Sequence, residues 1–169
     1  ICSDGAPQDL FTLLGASAQP GGTWSPILAS GTGVFNPAVD PAGNYIYTVA
    51  GTPPCVNDTS LVVISIVTAP NAGTDGVAQL CSNVDPVDLT TYLGGTPQAG
   101  GTWSPALTSG TNIFDPAIDL AGVYTYSVGG IAVCAGDSAT VTVSITIGPN
   151  AGTSASTTLC VNSTPINLF

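Results

Sequence analysis

The chain repeats itself with a period of 79 residues, and this repetition limits the available folds more than any other feature of the sequence. Trp24 recurs as Trp103, and the hexapeptide Gly-Gly-Thr-Trp-Ser-Pro stands unchanged at 21–26 and at 100–105. A unit of this length is a complete small domain, because the units of solenoid proteins have only about 20–50 residues. The sequence therefore predicts a tandem array of similar domains, whose function lies in the array rather than in a single active site.

A Pro-Asn-Ala-Gly segment separates the copies, at 70–73 and again at 149–152. Segments of this composition are typical of turns and short linkers. The pattern predicts a first domain over 1–69 with a truncated first strand, a complete second domain over 74–148, and the N-terminal part of a third over 153–169. We expect these residues to belong to a longer array.

The chain has no Lys, Arg or His, and its ten acidic residues are all Asp, which gives a formal net charge of −10. Nucleic-acid binding depends on cations that displace phosphate counterions, and attachment to anionic lipid surfaces depends on basic segments. Acid–base or nucleophilic sites built on His or Lys cannot be assembled from these residues. No run approaches the roughly 20 apolar residues of a membrane span. We therefore expect neither nucleic-acid binding nor membrane insertion.

Strand signals dominate the complete copy. Residues 140–147 alternate polar and apolar side chains, the pattern of a half-buried strand. Tyr124 and Tyr126 share one face of the preceding strand, and shorter strands are predicted at 87–93 and 102–104. No segment shows a sustained helical period. The sequence predicts an all-β fold, with each copy forming a two-sheet sandwich of about seven strands.

The five cysteines follow the repeat, with one early and one late in each copy. The absence of His and of Cys-x-x-Cys favours disulfides over a metal site, and disulfides imply an oxidising compartment. We expect the bonds Cys2–Cys55 and Cys81–Cys134, on the argument that the last hairpin and the first strand share one pole of a sandwich. The partner of Cys160 would lie beyond residue 169.

Each of these bonds would close a 53-residue loop and contribute about 3–4 kcal/mol in the chain-entropy model. Two alternatives to this pairing are a bond between Cys55 and Cys81, which would lock neighbouring domains together, and buried free thiols.

The aromatic residues favour core positions. A single Trp on an early strand of a sandwich typically packs against the opposite sheet, so we expect Trp24 and Trp103 to lie in the core. Stacking on sugars is the alternative for both. The segment Asp-x-Ala-Gly-x-Tyr, at 40–45 and 119–124, predicts a tyrosine corner before the penultimate strand.

A family resemblance runs through the whole chain. Its elements are Asn-Ala-Gly-Thr-Asp, Cys, Asp-Leu, Gly-Gly-Thr-Trp-Ser-Pro, Asp-x-Ala-Gly-x-Tyr-x-Tyr, Cys and Asp-Ser-Ala-Thr-Val-Thr-Val. This order resembles the tandem Ig-like and PKD-like repeats of giant secreted surface proteins of the Bacteroidota, including gliding-motility-associated adhesins. The resemblance implies export by type IX secretion, an extracellular or cell-surface location, and a role as a stalk or in adhesion.

Two kinds of modification or ligand site are candidates. Ser138 and Thr59 occupy Asp-Ser-Ala and Asp-Thr-Ser segments, which resemble the short O-glycosylation motif associated with such bacteria. Asp115 and Asp119 are weak candidates for a Ca²⁺ site, because Ca²⁺ needs several converging oxygen ligands and no Asp-x-Asp-x-Asp run is present. The first copy has Asn36 at the position of Asp115, which favours solvated turn aspartates and no cofactor.

The sequence thus predicts a structural stalk or fibre segment of a secreted bacterial surface adhesin, built from disulfide-stapled Ig-like repeats. Its expected partners are neighbouring repeats, surface glycans and other chains of a fibre. One alternative is a carbohydrate-binding adhesin module. Another is a filament subunit assembled by strand pairing between chains. An enzyme is not expected, because the Asp positions shared by both copies fall at turns.

Overall fold

The computed structural model describes residues 1–31, 33–110, 112–162 and 164–167. Within these ranges the chain forms strands and two short 3-10 helices, so the predicted all-β class is confirmed. The strands are β1 (Gln8–Asp9), β2 (Thr23–Ser25), β3 (Val34–Phe35), β4 (Gly43–Val49), β5 (Asp58–Ile64), β6 (Gly76–Cys81), β7 (Val87–Asp88), β8 (Thr102–Ser104), β9 (Ile113–Phe114), β10 (Gly122–Val128) and β11 (Asp137–Thr146). Strands β7 to β11 begin 79 positions after β1 to β5, so the sequence period is also a structural period.

The second copy contains a four-stranded sheet in the order β6-β11-β10-β8 and a two-stranded sheet of β7 and β9. Strand β6 runs parallel to β11, whereas the other pairs are antiparallel. The described part of this copy thus has six strands, compared with the expected number of about seven.

The strand predicted over 87–93 is short for a local reason. Only Val87–Asp88 is extended, and a 3-10 helix follows at Leu89–Tyr92. The carboxylate of Asp88 accepts a hydrogen bond from the Thr90 N–H at 2.9 Å and from its hydroxyl at 2.7 Å. An Asp side chain that bonds the backbone two residues later favours a helical turn over a ladder, so it ends the strand.

The core of the second copy lies between its two sheets. Tyr124 and Tyr126 are buried on one face of β10, as the alternation predicts. Phe114 makes an edge-on contact with Tyr124, with ring centroids 5.6 Å apart, and Trp103 packs on Tyr126 at 5.0 Å. Trp103 is therefore a core residue, whereas its counterpart Trp24 is half-buried.

The first copy is built in the same way. Its sheet has the order β2-β4-β5, and β1 pairs with β3. Phe35 contacts Tyr45 edge-on at 5.6 Å, which repeats the contact between Phe114 and Tyr124. The buried core residues of this copy are Leu10, Leu28, Phe35, Tyr45, Val62 and Ile64.

The repeated hexapeptide has a structural cause. The Tyr126 hydroxyl donates to the Gln98 carbonyl at 2.7 Å and accepts from the Gly101 N–H at 2.8 Å. A Cβ at Gly101 would collide with the Tyr126 ring, so only glycine lets the turn approach this closely. Tyr47 and Gly22 make the same contact in the first copy.

The segment 70–73, expected to be a linker, packs on the second copy. Ala72 is fully buried in the core of that copy, and its N–H donates to the Asp137 carboxylate at 2.8 Å. The Gln98 N–H donates to the Asn71 carbonyl at 2.8 Å. The boundary between the copies therefore lies before this segment.

Residues 149–162 and 164–167 form neither strand nor helix. The expected third copy also includes residues 163, 168 and 169, which lie outside the described residues. None of the helices that the structure describes is long and apolar enough to cross a membrane.

Candidate functional site: the junction between the two copies

The direction of β6 determines where the cysteines of the second copy lie. Cys81 ends β6 and lies opposite Thr146, the last residue of β11. Cys134 precedes β11, which begins at Asp137. Ten residues of strand span about 30 Å, whereas the two Cα atoms of a disulfide are usually about 4.4–6.8 Å apart. The predicted bond between Cys81 and Cys134 is therefore wrong.

The first copy has the same arrangement. Cys2 pairs with Val67 beyond the end of β5, whereas Cys55 lies before the start of β5 at Asp58. These positions are again separated by the length of a strand, so the predicted bond between Cys2 and Cys55 is wrong for the same reason. In both copies the early cysteine lies beside the end of the final strand, at the opposite pole from the late cysteine.

The structure instead joins Cys2 to Cys134, across the boundary between the copies, with a Cα–Cα distance of 5.1 Å. Both residues are buried, at 7% and 5% exposure. Cys55 and Cys81 are free and exposed, so the alternative bond between them is not formed. A covalent link between the two copies is present, but it uses different cysteines.

A tight hairpin presents Cys134 to the first copy. Ile131 and Cys134 exchange backbone hydrogen bonds of 3.1 and 2.9 Å, and Ala132 between them has a φ of 51°. The Cys134 Sγ atom lies 3.5 Å from the carbonyl oxygen of Val67. The hairpin therefore touches the backbone of the first copy as well as the sulfur of Cys2.

A small network fixes the receiving side of the junction. The Ser3 N–H donates to the Val67 carbonyl at 2.8 Å, and the Val67 N–H donates to the Ile1 carbonyl at 2.9 Å. The Ser3 hydroxyl accepts from the Ala69 N–H at 2.9 Å. These bonds hold Cys2 against the chain segment that leads into the second copy.

The junction also contains the one group of three potential metal ligands that the described residues bring together, which consists of Cys2, Asp4 and Cys134. A cysteine binds a metal as its thiolate. Both sulfurs here are bonded to each other, so the group serves as a cross-link in this structure.

The Ca²⁺ candidates lie together in one turn but serve the backbone. The buried Asp119 carboxylate accepts N–H groups of Thr108 at 2.5 Å, Ser109 at 3.3 Å and Asp115 at 2.8 Å. The Asp115 carboxylate accepts from the Ala117 N–H at 2.9 Å. Both carboxylates are thus occupied by amide donors of the turn.

Burial alone would raise the pKa of Asp119, but the hydrogen bonds from Asp115, Thr108 and Ser109 outweigh it and hold the pKa below its usual value. Asp40 has a lowered pKa for the same reasons in the first copy. This structural role of the two buried carboxylates is not among the roles predicted from the sequence. The signal in the sequence is that Asp recurs at 40 and 119, whereas the position four residues earlier is Asn36 in the first copy and Asp115 in the second.

The predicted tyrosine corners are present. The Tyr124 hydroxyl donates to the Leu120 carbonyl at 2.7 Å, and the Tyr45 hydroxyl donates to the Pro41 carbonyl at 2.8 Å. Burial and the nearby Asp119 carboxylate raise the pKa of Tyr124 above its usual value. The corner and the buried Asp together fix the loop that enters β10.

The candidate O-glycosylation residues are both exposed at the start of a final strand. Ser138 is the second residue of β11, and Thr59 is the second residue of β5. The N–H of each donates to the carboxylate of the preceding Asp, at 2.8 and 3.0 Å. Both hydroxyls are in accessible positions, and their modification stays a prediction.

A shallow cleft borders each Trp. The cleft beside Trp24 has a volume of about 450 Å³ and that beside Trp103 about 390 Å³. Each indole packs on a tyrosine, at 5.0 Å in both copies. The Nε1 atom of Trp103 is buried and has no hydrogen-bond partner among the described residues.

No protein-family model, curated protein or solved structure matches the chain.

Proposed function

We propose that the chain is a load-bearing section of an extracellular stalk or fibre, in which consecutive β-sandwich domains are covalently joined across their boundary. The Cys2–Cys134 bond carries this proposal, because it links two domains instead of stabilising one. A bond inside a domain protects that domain, whereas a bond between domains keeps the array from parting or bending at its boundary.

Burial of the bond supports a mechanical role. Both cysteines are nearly inaccessible, and the hairpin that carries Cys134 rests on the Val67 backbone. A reductant therefore has little access to the sulfurs while the junction is closed. A disulfide also persists in oxidising compartments, which agrees with a location outside the cytoplasm.

The sequence supports the same assignment. The order of its motifs resembles Ig-like and PKD-like repeats of Bacteroidota surface proteins, from which we infer export by type IX secretion and a place in a cell-surface adhesin. A net charge of −10 without cations favours solubility and mutual repulsion of separate molecules, as a spacer exposed to the medium requires.

Pulling the chain from its two ends tests the proposal. The bonded cysteines are 132 positions apart, and a fully extended chain spans about 3.5 Å per residue, so the bond withholds about 460 Å of contour length. In single-molecule force spectroscopy, the oxidised chain should release almost none of this length. The reduced chain and a Cys134→Ser variant should release it in steps as each domain unfolds.

A Cys55→Ser variant is the matched control, because Cys55 is exposed and makes no disulfide. It should behave as the unaltered oxidised chain does. Release of the full length by the oxidised chain would contradict a load-bearing junction.

A carbohydrate-binding module is the second candidate, and the buried indole N–H of Trp103 favours it. An unpaired buried donor costs about 1–3 kcal/mol, and Trp103 is also one of the residues that line the adjoining cleft. Binding of the whole chain to a glycan array, lost in a Trp103→Phe variant that keeps an aromatic ring but lacks the indole N–H, would support this function. Absence of binding by the unaltered chain would count against it.

A further inference from the structure

We propose that Cys2–Cys134 is one bond of a staggered series, in which the early cysteine of each copy bonds to the late cysteine of the next copy. Cys81 is then the docking position for the late hairpin of the copy that begins at residue 153. This inference rests on the proposed function and extends it from one junction to the whole array.

The backbone around Cys81 is already arranged as a receiving site. Cys81 lies opposite Thr146, and the Ser82 N–H donates to the Thr146 carbonyl at 2.9 Å. The Ser82 hydroxyl accepts from the Gly148 N–H at 3.0 Å. Each contact is the counterpart, 79 positions later, of a contact that holds Cys2. The two early cysteines therefore sit in equivalent settings, and one of them already bonds a late cysteine.

Cys55, the late cysteine of the first copy, lies in the same kind of turn as Cys134. The Cys55 N–H donates to the Thr52 carbonyl at 2.9 Å, as the Cys134 N–H donates to the Ile131 carbonyl at 2.9 Å. Both cysteines also precede their final strand by three positions. Cys55 is therefore positioned to form a disulfide with the early cysteine of a preceding copy.

The chain's own third copy is the expected occupant at Cys81. Residues 149–152 repeat the segment 70–73, which leads from the first copy into the second, and Cys160 follows Cys81 at the same spacing of 79. A hairpin tethered through so short a segment has an effective concentration of about millimolar. A separate molecule carries the same charge of −10 and is repelled.

The chemistry of each new bond is an ordinary thiol oxidation. Two thiols form one S–S bond and release two protons, while two electrons pass to a disulfide oxidant, such as an oxidised thiol–disulfide oxidoreductase, which becomes a dithiol. Cys81 is exposed, so the oxidant reaches it before the hairpin closes over it.

In the staggered series the loops closed by successive disulfides overlap, whereas disulfides within each copy would close separate loops. The loop closed by Cys2 and Cys134 overlaps the next loop, which begins at Cys81. Successive loops overlap all along such an array, so every interior peptide bond lies inside at least one of them. A single backbone cut, even between two domains, would leave the array covalently whole.

An extended chain tests the inference. A second copy of residues 91–148, appended after residue 169, completes the third domain and places a new cysteine 79 positions after Cys134. After refolding with a glutathione disulfide couple, peptide mapping without reductant should find Cys81 linked to the added cysteine in a monomer. Cys81 should then resist alkylation, whereas it reacts in the 169-residue chain and in an extended chain whose added cysteine is Ser.

Two results would overturn the inference. One is an extended chain in which Cys81 still reacts although Cys2 and Cys134 are bonded. The other is a Cys81–Cys55 bond between molecules, which would appear as reducible multimers that increase with concentration. Loss of the Cys2–Cys134 bond itself would instead contradict the proposed function, so the two failures are distinguishable.

Discussion

At the scale of single residues, the chain places two carboxylates in its core although it has no basic side chain to pair with them. Asp40 and Asp119 are 2% and 3% exposed. Each accepts three backbone N–H groups of its own loop, which replaces the water lost on burial. The two carboxylates thus organise their turns, and their hydrogen bonds to backbone N–H groups satisfy them without Lys or Arg.

An Asp119→Asn substitution tests this role through its pH dependence. The amide offers one acceptor oxygen and no charge, so we expect the second copy to lose about 2–3 kcal/mol of unfolding free energy at pH 7. The folded pKa of Asp119 lies below its unfolded value of about 3.9, so the carboxylate stabilises the fold above that pH. This contribution is lost as the pH falls through the folded pKa.

Urea unfolding at pH 7 and pH 3, followed by Trp fluorescence, measures the difference. The loss of unfolding free energy caused by Asp119→Asn, relative to the unaltered chain, should be smaller at pH 3 than at pH 7. Asp85→Asn is the matched control, because Asp85 is exposed, and it should change stability little at either pH. A deficit that is equal at both pH values would show that the charge of Asp119 does not matter.

At the scale of elements, the sequence predicts well where the strands lie along the chain. It predicts poorly which strands pair with each other and in which direction. The alternation at 140–147 and the tyrosine pair at 124 and 126 correctly place β11 and β10, because a half-buried strand must alternate. Alternation carries no information about which strand lies alongside, or in which direction. The parallel pairing of β6 with β11 sends Cys81 to the far pole, so the cysteine pairing inferred without it was wrong.

In the hexapeptide turn, comparison of the two copies does reveal a contact between residues that are distant in sequence. Gly101 recurs with its neighbours because it lies against Tyr126, 25 positions later in the sequence. A Gly101→Ala substitution should cost about 1–3 kcal/mol by overpacking, since the new methyl group meets both the ring and the Ser127 carbonyl. Thermal unfolding followed by circular dichroism measures the loss.

Gly122→Ala is the control for this substitution, because a Cβ there meets no atom within 4 Å. It should leave stability within about 0.5 kcal/mol of the unaltered chain. An effect of Gly101→Ala as small as that of Gly122→Ala would contradict the requirement for glycine against the Tyr126 ring.

At the scale of the whole molecule, the position of the disulfide decides whether a cut at the boundary separates the domains. The chain has no Lys or Arg, so a single Thr68→Arg substitution creates the only trypsin site, at an exposed position between β5 and β6. With Cys2 bonded to Cys134, the two fragments must stay joined after cleavage until a reductant is added. With bonds inside each copy, they would separate at once.

Blocking free thiols first and digesting in urea without reductant makes this result depend on the covalent connections alone. We expect one band near the full-length position on a non-reducing gel and two fragments after reduction. A Ser154→Arg variant is the matched control, since a cut beyond Cys134 must release the C-terminal segment whichever pairing within the first two copies is correct. Separation of the Thr68→Arg fragments without reductant would disprove the bond on which the stalk depends, because the boundary between domains would then be held by the peptide backbone alone.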